Sequence, residues 1–271
     1  LSGLNPVFDR APKVFALCED DSVIGATFIV MERRAGVVVR SEIPSDLEAH
    51  TNIEERISFA LVDAMAEFHS IDPVAADLDK LGRPESFVER QLTGWYKRWH
   101  LVTDESDDLF ERVYQVLLNS KPETRSNTLV HNDLKLDNCM FDPSDPDRVA
   151  TILDWDMTTI GDPLVELGTL LSYWREVGDA TNRSPTIDLD MSNFPTRAAL
   201  IERYAKSGAN VDDIAWYEAF GLWKQAVVLQ QLHNRYALGE SQDERMAAFP
   251  GFIPGQLQAA LEILTDEQVK T

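Results

Sequence analysis

The polar segment His131-Asn-Asp-Leu-Lys-Leu-Asp-Asn138 contains the residue types best suited to chemistry in this chain. It follows a short apolar strand and places the carboxylate of Asp133 a few residues before the amide of Asn138. Further along, Thr151-Ile-Leu-Asp-Trp-Asp156 is an apolar strand that ends in two carboxylates. Carboxylate and amide oxygens suit hard Mg²⁺, and a carboxylate can accept or orient the proton of a hydroxyl. Transfer of a phosphoryl group needs both functions in one place.

These residues can be given separate roles. Asp133 is the candidate catalytic base, Asn138 a neutral metal ligand and Asp154 an anionic one. A hairpin made of the predicted strands Cys139–Phe141 and Val149–Leu153, joined by a turn over residues 142–147, would return Asp154 to face Asn138. The pattern H-x-D-x-x-x-x-N is short and recurs by chance, but the flanking strand and hairpin make it specific. The competing interpretation is a loop whose side chains cap backbone groups.

Neighbouring side chains could support such a site. Asp156 could bind a metal through water, and Lys135 could neutralise the transferring phosphate or be an ordinary solvated lysine. We expect His131 to brace the loop by hydrogen bonds. Asp162 and Glu166, near the start of a predicted helix, should support loop and helix backbone because acidic groups stabilise that end of a helix.

The elements that must position these residues fall into four blocks. Strands are predicted early in the chain, at Lys13–Cys18, Thr27–Arg33 and Gly36–Arg40. From Ile53 the apolar residues recur at helical spacing until Asp72 and Pro73. The other helices are predicted at Glu85–Leu101, Asp107–Leu118, Leu164–Val177, Thr196–Lys206, Val211–Leu238 and Phe252 to about Val269. Strands, helices, a small central β element and more helices make an α+β protein.

The charge balance restricts the partners. The chain has 271 residues, with 25 Lys and Arg against 46 Asp and Glu, a net charge of −21 and a pI near 4.5. A negative electrostatic field of this size repels nucleic acid and anionic membranes, so neither is expected as a partner. A cationic substrate could be attracted. Solubility alone is the other explanation of the acidity.

Location and assembly are only weakly constrained by the sequence. No apolar run approaches the roughly 18–20 residues of a membrane span. The two cysteines, Cys18 and Cys139, form no CxxC pair, so reduced thiols and a cytoplasmic location are expected. The oligomeric state stays open.

Asp133 and Asn138, with the later Ile152-Leu-Asp154, resemble the motifs of the aminoglycoside phosphotransferase family, the small-molecule branch of the protein-kinase-like superfamily. Two further segments extend the resemblance: Ile160-Gly-Asp-Pro-Leu-Val-Glu-Leu-Gly168, and Phe28-Ile-Val-Met-Glu-Arg33 before a glycine. In detail the chain looks most like the branch found alone in bacteria and fused to acyl-CoA dehydrogenase domains in animals.

The resemblance implies a two-lobe kinase-like fold. Residues 1–40 would be a truncated β-rich lobe with a hinge, at which Met31, Glu32 and Arg34 receive the nucleotide base. Residues 41–271 would form the helical lobe, whose helices over about 165–260 build the acceptor pocket. The implied reaction moves the terminal phosphate of ATP or GTP to a hydroxyl, with Mg²⁺ as cofactor. Aminoglycosides, choline-like alcohols, sugars, amino-alcohols and hydroxyacyl thioesters all remain possible acceptors.

The chain departs from the family pattern at the phosphate-gripping parts. A glycine-rich hairpin, a phosphate-contacting lysine and a helix with its glutamate partner are not recognisable. Lys13 precedes the hinge strand at the wrong place, and Gly25 and Gly36 form no G-x-G-x-x-G. Either these parts lie upstream of Leu1, or the protein is a catalytically inactive binding module. A nucleotidyl transferase of the same fold is a third alternative.

Overall fold

The chain begins with an antiparallel hairpin whose apolar side chains are largely exposed. The computed structural model describes residues 1–103, 107–180, 183, 185–186 and 188–270, without the side chains of 267–270. In the hairpin, β1 (Val14–Cys18) pairs with β2 (Phe28–Met31). Phe15 is 61% exposed and Leu17 is 59% exposed. Both predicted strands are confirmed, though β2 is shorter than expected.

The central β element is a three-stranded antiparallel sheet. β3 (Val37–Val38) pairs with β5 (Cys139–Asp142), which pairs in turn with β6 (Asp145–Ile152). The predicted hairpin is confirmed, but the predicted turn over 142–147 is too long. Asp142 pairs with Asp145, and its carboxylate accepts hydrogen bonds from the backbone and hydroxyl of Ser144 at 2.8 and 2.7 Å. These bonds close the turn within two residues.

A third pairing holds the polar segment in place. β4 (Thr128–Val130) is antiparallel to β7 (Thr159–Gly161). The first strand was predicted and the second was not, because three residues are too few to show a periodic pattern. Pairing with β4 rather than local propensity makes β7 a strand.

Helices make up most of the remaining described chain. Their bounds are α1 (Ser45–Glu48), α2 (Ile53–His69), α3 (Phe87–Val102), α4 (Asp108–Asn119), α5 (Pro163–Tyr173), α6 (Arg197–Ala205), α7 (Ile214–Ala237) and α8 (Ile253–Lys270). The predicted helix 164–177 therefore ends early, at Tyr173. The predicted loop over 239–251 contains a 3-10 helix, Glu244–Phe252. None of the helices in the described chain has the length and apolarity needed to cross a membrane.

Short polar side chains fix where several helices begin. Asp107 accepts hydrogen bonds from the backbone N–H groups of Leu109 and Phe110, and Asp162 accepts one from Leu164. Each bond satisfies a donor that the helix itself cannot pair. The proline after Asp162 occupies the first helical position, where no N–H is needed. Capping therefore sets the start of α5 directly after β7.

The first residues of the chain pack on the helical core. Phe8 is buried, and its ring centroid lies 5.4 Å from that of Phe68 and 6.3 Å from that of Trp155. The backbone carbonyl of Arg10 accepts a hydrogen bond from the N–H of Ile152 at 3.0 Å. The separate small sheets and helices described above confirm the predicted α+β class. The predicted division at residue 40 stays a prediction, but residues 4–11 lie with the helices.

Two helices of the core approach each other unusually closely, at a pair of glycines. A Cβ on Gly168 of α5 would lie 2.4 Å from the backbone carbonyl of Tyr217 on α7. A Cβ on Gly221 of α7 would lie 2.7 Å from the carbonyl oxygen of Gly168. The backbones of α5 and α7 are therefore in direct contact, which fixes the end of β7 relative to α7.

Candidate active site

The polar segment after β4 is braced from beneath by His131. This side chain is fully buried, and its Nε2–H donates to the carbonyl of Leu153 at 2.8 Å. Its Nδ1 accepts a hydrogen bond from the N–H of Asp133 at 3.3 Å, and the backbone N–H of His131 donates to Glu166 at 3.0 Å. The prediction that His131 braces the loop is confirmed. It links the loop to the end of β6.

The Asp133 carboxylate is oriented by two donors. Nζ of Lys135 lies 3.0 Å from both carboxylate oxygens. Nδ2 of Asn138 donates to Oδ2 of Asp133 at 3.0 Å and to its backbone carbonyl at 2.8 Å. The side chain of Asp133 keeps 25% of its surface exposed. A fixed, partly open carboxylate is what a base or hydroxyl-orienting group requires.

The hairpin brings the end of β6 back to Asn138. The N–H of Leu153 donates to the backbone carbonyl of Asn138 at 2.8 Å, so Asp154 lies next to the polar loop. Asp154 has a left-handed backbone, with φ of 60°, and is exposed. The amide nitrogen of Asn138 is committed to Asp133, which leaves its Oδ1 as the group that could bind a cation.

The oxygen atoms of Asn138 and Asp154 suit a metal ion that also binds a ligand better than a metal ion coordinated by protein alone. No group of three or more His, Cys, Asp or Glu side chains among the described residues is placed to hold an ion. Asn138 and Asp154 supply one amide and one carboxylate. Mg²⁺ typically takes one or two protein carboxylates and completes its octahedron with phosphate oxygens and water. The predicted pair is therefore compatible with magnesium bound together with a nucleotide.

Lys135 is held as a cation beside Asp133. Its Nζ lies 5.4 Å from the ring centroid of Tyr173. Burial lowers the pKa of Lys135, but Tyr173, Asp133 and Asp137 outweigh that effect and raise it to about 12.

Burial raises the pKa of Asp137, one of whose oxygens accepts no hydrogen bond within the described chain. Asp156 is exposed in a 3-10 turn, Trp155–Met157.

The predicted hinge residues lie at the end of β2. Met31 is 47% exposed. The carboxylate of Glu32 lies 3.0 Å from Nε of Arg34 and accepts a hydrogen bond from the N–H of Lys13 at 3.3 Å. Arg34 also donates to the carbonyl of Asp9 at 2.8 Å. Glu32 and Arg34 thus tie β2 to the preceding segment, and their role with a nucleotide stays a prediction.

A buried polar chain supports the loop from the helical side. Nε2 of His69 lies 2.7 Å from Oε2 of Glu166, and Nδ1 lies 2.7 Å from the hydroxyl of Tyr204. Burial alone would raise the pKa of Glu166, but the hydrogen bonds and charge of His69 and the contacts with His131 lower it. Glu166 therefore anchors the loop, as predicted. His69 is hydrogen-bonded through both ring nitrogens.

The acidic side chains around the start of α7 do not share one environment. Asp212 and Asp213 each lie 2.9 Å from the guanidinium of Arg125. Glu218 is instead buried and accepts a hydrogen bond from Arg183 at 2.5 Å. Nothing in the local sequence signals its partner, which comes from the segment before α6.

Lys224 also lies at the polar loop, although the sequence pattern did not predict it there. This lysine of α7 is only 8% exposed, and its Nζ lies 3.5 Å from the backbone carbonyl of Asn132 and 5.4 Å from the ring centroid of Trp95. A lysine on a helix is usually solvated. The one available signal was its apolar surroundings, since Trp223, Ala226 and Val227 leave α7 without a polar face there.

Comparison with known proteins finds a matching family model and several similar proteins. The model of the phosphotransferase enzyme family, APH, matches residues 4–190. Mouse acyl-CoA dehydrogenase family member 10 is 30% identical over 234 residues, covering 85% of this chain and 22% of that protein. Human acyl-CoA dehydrogenase family member 11 is 28% identical over 259 residues, covering 93% of this chain and 32% of that protein. The chain thus spans a third or less of these relatives.

Solved structures match over nearly the whole chain. A Ralstonia eutropha protein classed with the aminoglycoside phosphotransferases is 26% identical, with a TM-score of 0.81 and coverage of 97% of this chain and 80% of that one. Aminoglycoside phosphotransferase APH(4)-Ia, solved with AMP-PNP and hygromycin B, has a TM-score of 0.60 at 14% identity, covering 94% and 80%. The second match concerns the fold alone. The predicted kinase-like two-lobe fold is confirmed.

Proposed function

Because the chain belongs to the phosphotransferase enzyme family, we propose that it transfers the terminal phosphate of ATP or GTP to a hydroxyl of a small molecule. The resemblance to the branch fused to acyl-CoA dehydrogenases is confirmed by the relatives above. Family and fold support phosphotransfer in general. One observation carries the specific proposal: Asp133 is oriented by Lys135 and Asn138 beside the hairpin end that bears Asp154.

The proposed reaction uses Asp133 to orient the acceptor hydroxyl and to receive its proton. The acceptor oxygen attacks the terminal phosphorus, and the bond from phosphorus to the leaving nucleoside diphosphate breaks. Lys135 stays cationic at neutral pH and is placed to offset negative charge beside Asp133. Met31, Glu32 and Arg34 are the residues proposed to receive the nucleotide base.

Magnesium fits this proposal through the residues already described. Asn138 and Asp154 would hold it, with Asp156 contributing through water, and it would neutralise charge on the phosphates. The hydrogen bonds from Asn138 to Asp133 keep the amide oxygen available for that purpose. The acceptor is not fixed by the family. The neighbour that binds hygromycin B shares only the fold with this chain.

Two substitutions test the proposal in the full-length protein. Asp133→Asn should retain binding of the magnesium–nucleotide complex in calorimetry but lower phosphate transfer to an alcohol panel by ~10²–10⁴-fold. Asp154→Asn should weaken the magnesium-dependent part of nucleotide binding. Asp212→Asn, which changes an exposed carboxylate beside Arg125, is the matched control and should behave like the native protein.

Two outcomes would contradict the proposal in different ways. Undiminished transfer by Asp133→Asn would remove the base from the mechanism. A native protein that binds no nucleotide in the presence of magnesium would instead support the alternative, a catalytically inactive binding module of the kinase-like fold.

A further inference from the structure

A buried cation that the proposed reaction does not use lies beside the catalytic loop. Nζ of Lys224 lies 3.5 Å from the backbone carbonyl oxygen of Asn132, the residue directly before Asp133. Because adjacent Cα atoms are only about 3.8 Å apart, the ammonium and the catalytic carboxylate border the same small region. The side chain reaches this region from α7, one of the helices expected to build the acceptor pocket.

The hydrogen-bonding capacity of this ammonium is barely used. A distance of 3.5 Å is at the outer limit of a hydrogen bond, and an ammonium has further N–H groups to donate. Within the described part of the chain, no carboxylate lies within ion-pair distance of Lys224. Its other neighbour is the ring of Trp95, at 5.4 Å, over which the guanidinium of Arg98 also lies, at 4.3 Å. A buried charge that protein groups do not pair is costly.

Cationic side chains gather at this loop although the chain as a whole is acidic. Three cations, Lys224, Lys135 and Arg98, lie near Asp133, whereas the chain as a whole carries −21. Glu166 also acts on Lys224, but its carboxylate is already hydrogen-bonded to His69 and His131. Burial lowers the pKa of Lys224 to about 8, which leaves most of the lysine protonated at neutral pH. Lys224 therefore places a buried positive charge on the acceptor side of the loop. A polycationic acceptor would be repelled at this position.

We infer that Lys224 is a specificity-determining residue of the acceptor site, binding an oxyanion that the acceptor carries close to its reacting hydroxyl. The inference rests on the proposed function and names a class of acceptor for it: an alcohol with a nearby carboxylate or phosphate. Such a group would pair the ammonium and complete its hydrogen bonds. Because Asn132 and Asp133 are consecutive, the oxyanion and the hydroxyl fit within one small molecule.

The test uses short alcohols of matched length that differ only in their second group. A carboxylate, a phosphate, a neutral amide and an ammonium form the four arms, each assayed for phosphate transfer by the full-length protein. We expect kcat/KM for at least one anionic arm to exceed that for the amide by about tenfold or more, since hydrogen bonds between charged groups are the strong ones. The better of the two anionic arms identifies the source of the oxyanion. Equal values for the anionic and neutral arms, or a preference for the ammonium, would overturn the inference.

Variants of Lys224 separate recognition from structural support. Lys224→Met should lower kcat/KM for the anionic arm by about tenfold or more, mainly through KM, and leave the amide arm nearly unchanged. Lys224→Arg should keep part of the preference because it retains the charge. Lys206→Met, at an exposed lysine after α6, is the matched control. If Lys224→Met lowered kcat/KM equally for all four alcohols, the lysine would only support the loop, and the inference would be wrong.

The proposed function is tested independently by nucleotide binding. A protein that binds the magnesium–nucleotide complex and phosphorylates only neutral or cationic alcohols would overturn the acceptor class alone. A protein that binds no nucleotide would overturn the acceptor class and the proposed function together.

Discussion

At the scale of single residues, the site combines two side chains that the sequence pattern predicts with a third that only the fold brings to them. Asp133 and Asn138 lie in one short pattern, so their joint role can be predicted from the sequence. Lys224 lies far along the chain from Asn132, and only the packing of α7 brings the two together. The apolar neighbours of Lys224 in α7 indicate burial, but they do not show which part of the chain the lysine meets. For that reason the acceptor side of the site could not be predicted.

The buried lysine should make stability depend on pH in the alkaline range. Its folded-state pKa, about 8, lies below the ordinary value of 10.5 because burial disfavours the charge, an effect that Lys135 and Arg98 reinforce and Asp133 and Glu166 oppose. Between these values the unfolded chain holds a proton that the folded chain has released, so stability rises with pH. Lys224→Met should be more stable than the native protein at pH 7 by about 2–3 kcal/mol, and the difference should shrink towards pH 10.

Urea unfolding of both proteins at pH 7 and pH 9.5 measures this difference. The exposed Lys206→Met should show no comparable change with pH. If the gap between Lys224→Met and the native protein were the same at both pH values, the lysine would not be buried as a strained cation.

At the scale of elements, helices and strands were predicted correctly where their apolar pattern was long. The predictions failed where contacts with distant parts of the chain determine the bounds of an element. The helical period that starts at Ile53 is long, and α2 extends from that residue to His69. β7 has three residues and is a strand because β4 pairs with it. Likewise, α5 ends at Tyr173 although helix-compatible residues continue, since Trp174 leaves the helix and its indole donates to the carbonyl of Pro195. Such long-range partners cannot be read from a local window.

The contact between α5 and α7 should tolerate no side chain. We expect Gly168→Ala to destabilise the protein by about 2–3 kcal/mol, because the new methyl group would overlap the backbone of Tyr217 and force the helices apart. Gly94→Ala is the matched control. Gly94 lies in α3, and a methyl group added there would have no neighbour within 4 Å, so alanine should be neutral or stabilising by up to about 1 kcal/mol.

Thermal or urea unfolding of the two alanine variants distinguishes these cases. Similar stability of Gly168→Ala and Gly94→Ala would show that α5 and α7 can separate without cost, and that the glycines do not fix the helix contact.

At the scale of the whole molecule, the net negative charge and the two lysines of the site act on an anionic ligand in opposite directions. A chain of −21 repels an anionic magnesium–nucleotide complex during its approach, while Lys135 and Lys224 act only at short range. Salt screens the long-range part, with a Debye length of about 10 Å at 0.1 M. Composition suggested a cationic substrate because it cannot show where individual charges lie.

Screening should therefore speed association. We expect kcat/KM for the magnesium–nucleotide complex to rise roughly twofold or more between low salt and physiological ionic strength. Values for a neutral alcohol acceptor, measured at saturating nucleotide, should change little and serve as the control. A steady fall of the nucleotide kcat/KM with salt would show that the local cations, not the net charge, govern the encounter.

The exposed hairpin of β1 and β2 has a consequence for how the molecule opens. Phe15, Leu17 and Ile29 are largely exposed, so little buried apolar surface opposes separation of these strands, whereas α7 is buried along most of its length. Amide hydrogens of the hairpin should exchange with solvent long before those of α7. A nucleotide seated at Met31 and its neighbours would slow that exchange, because local opening would then also require the ligand to leave. The protection of a few backbone amides would thus report occupancy of the site in a protein that is not turning over.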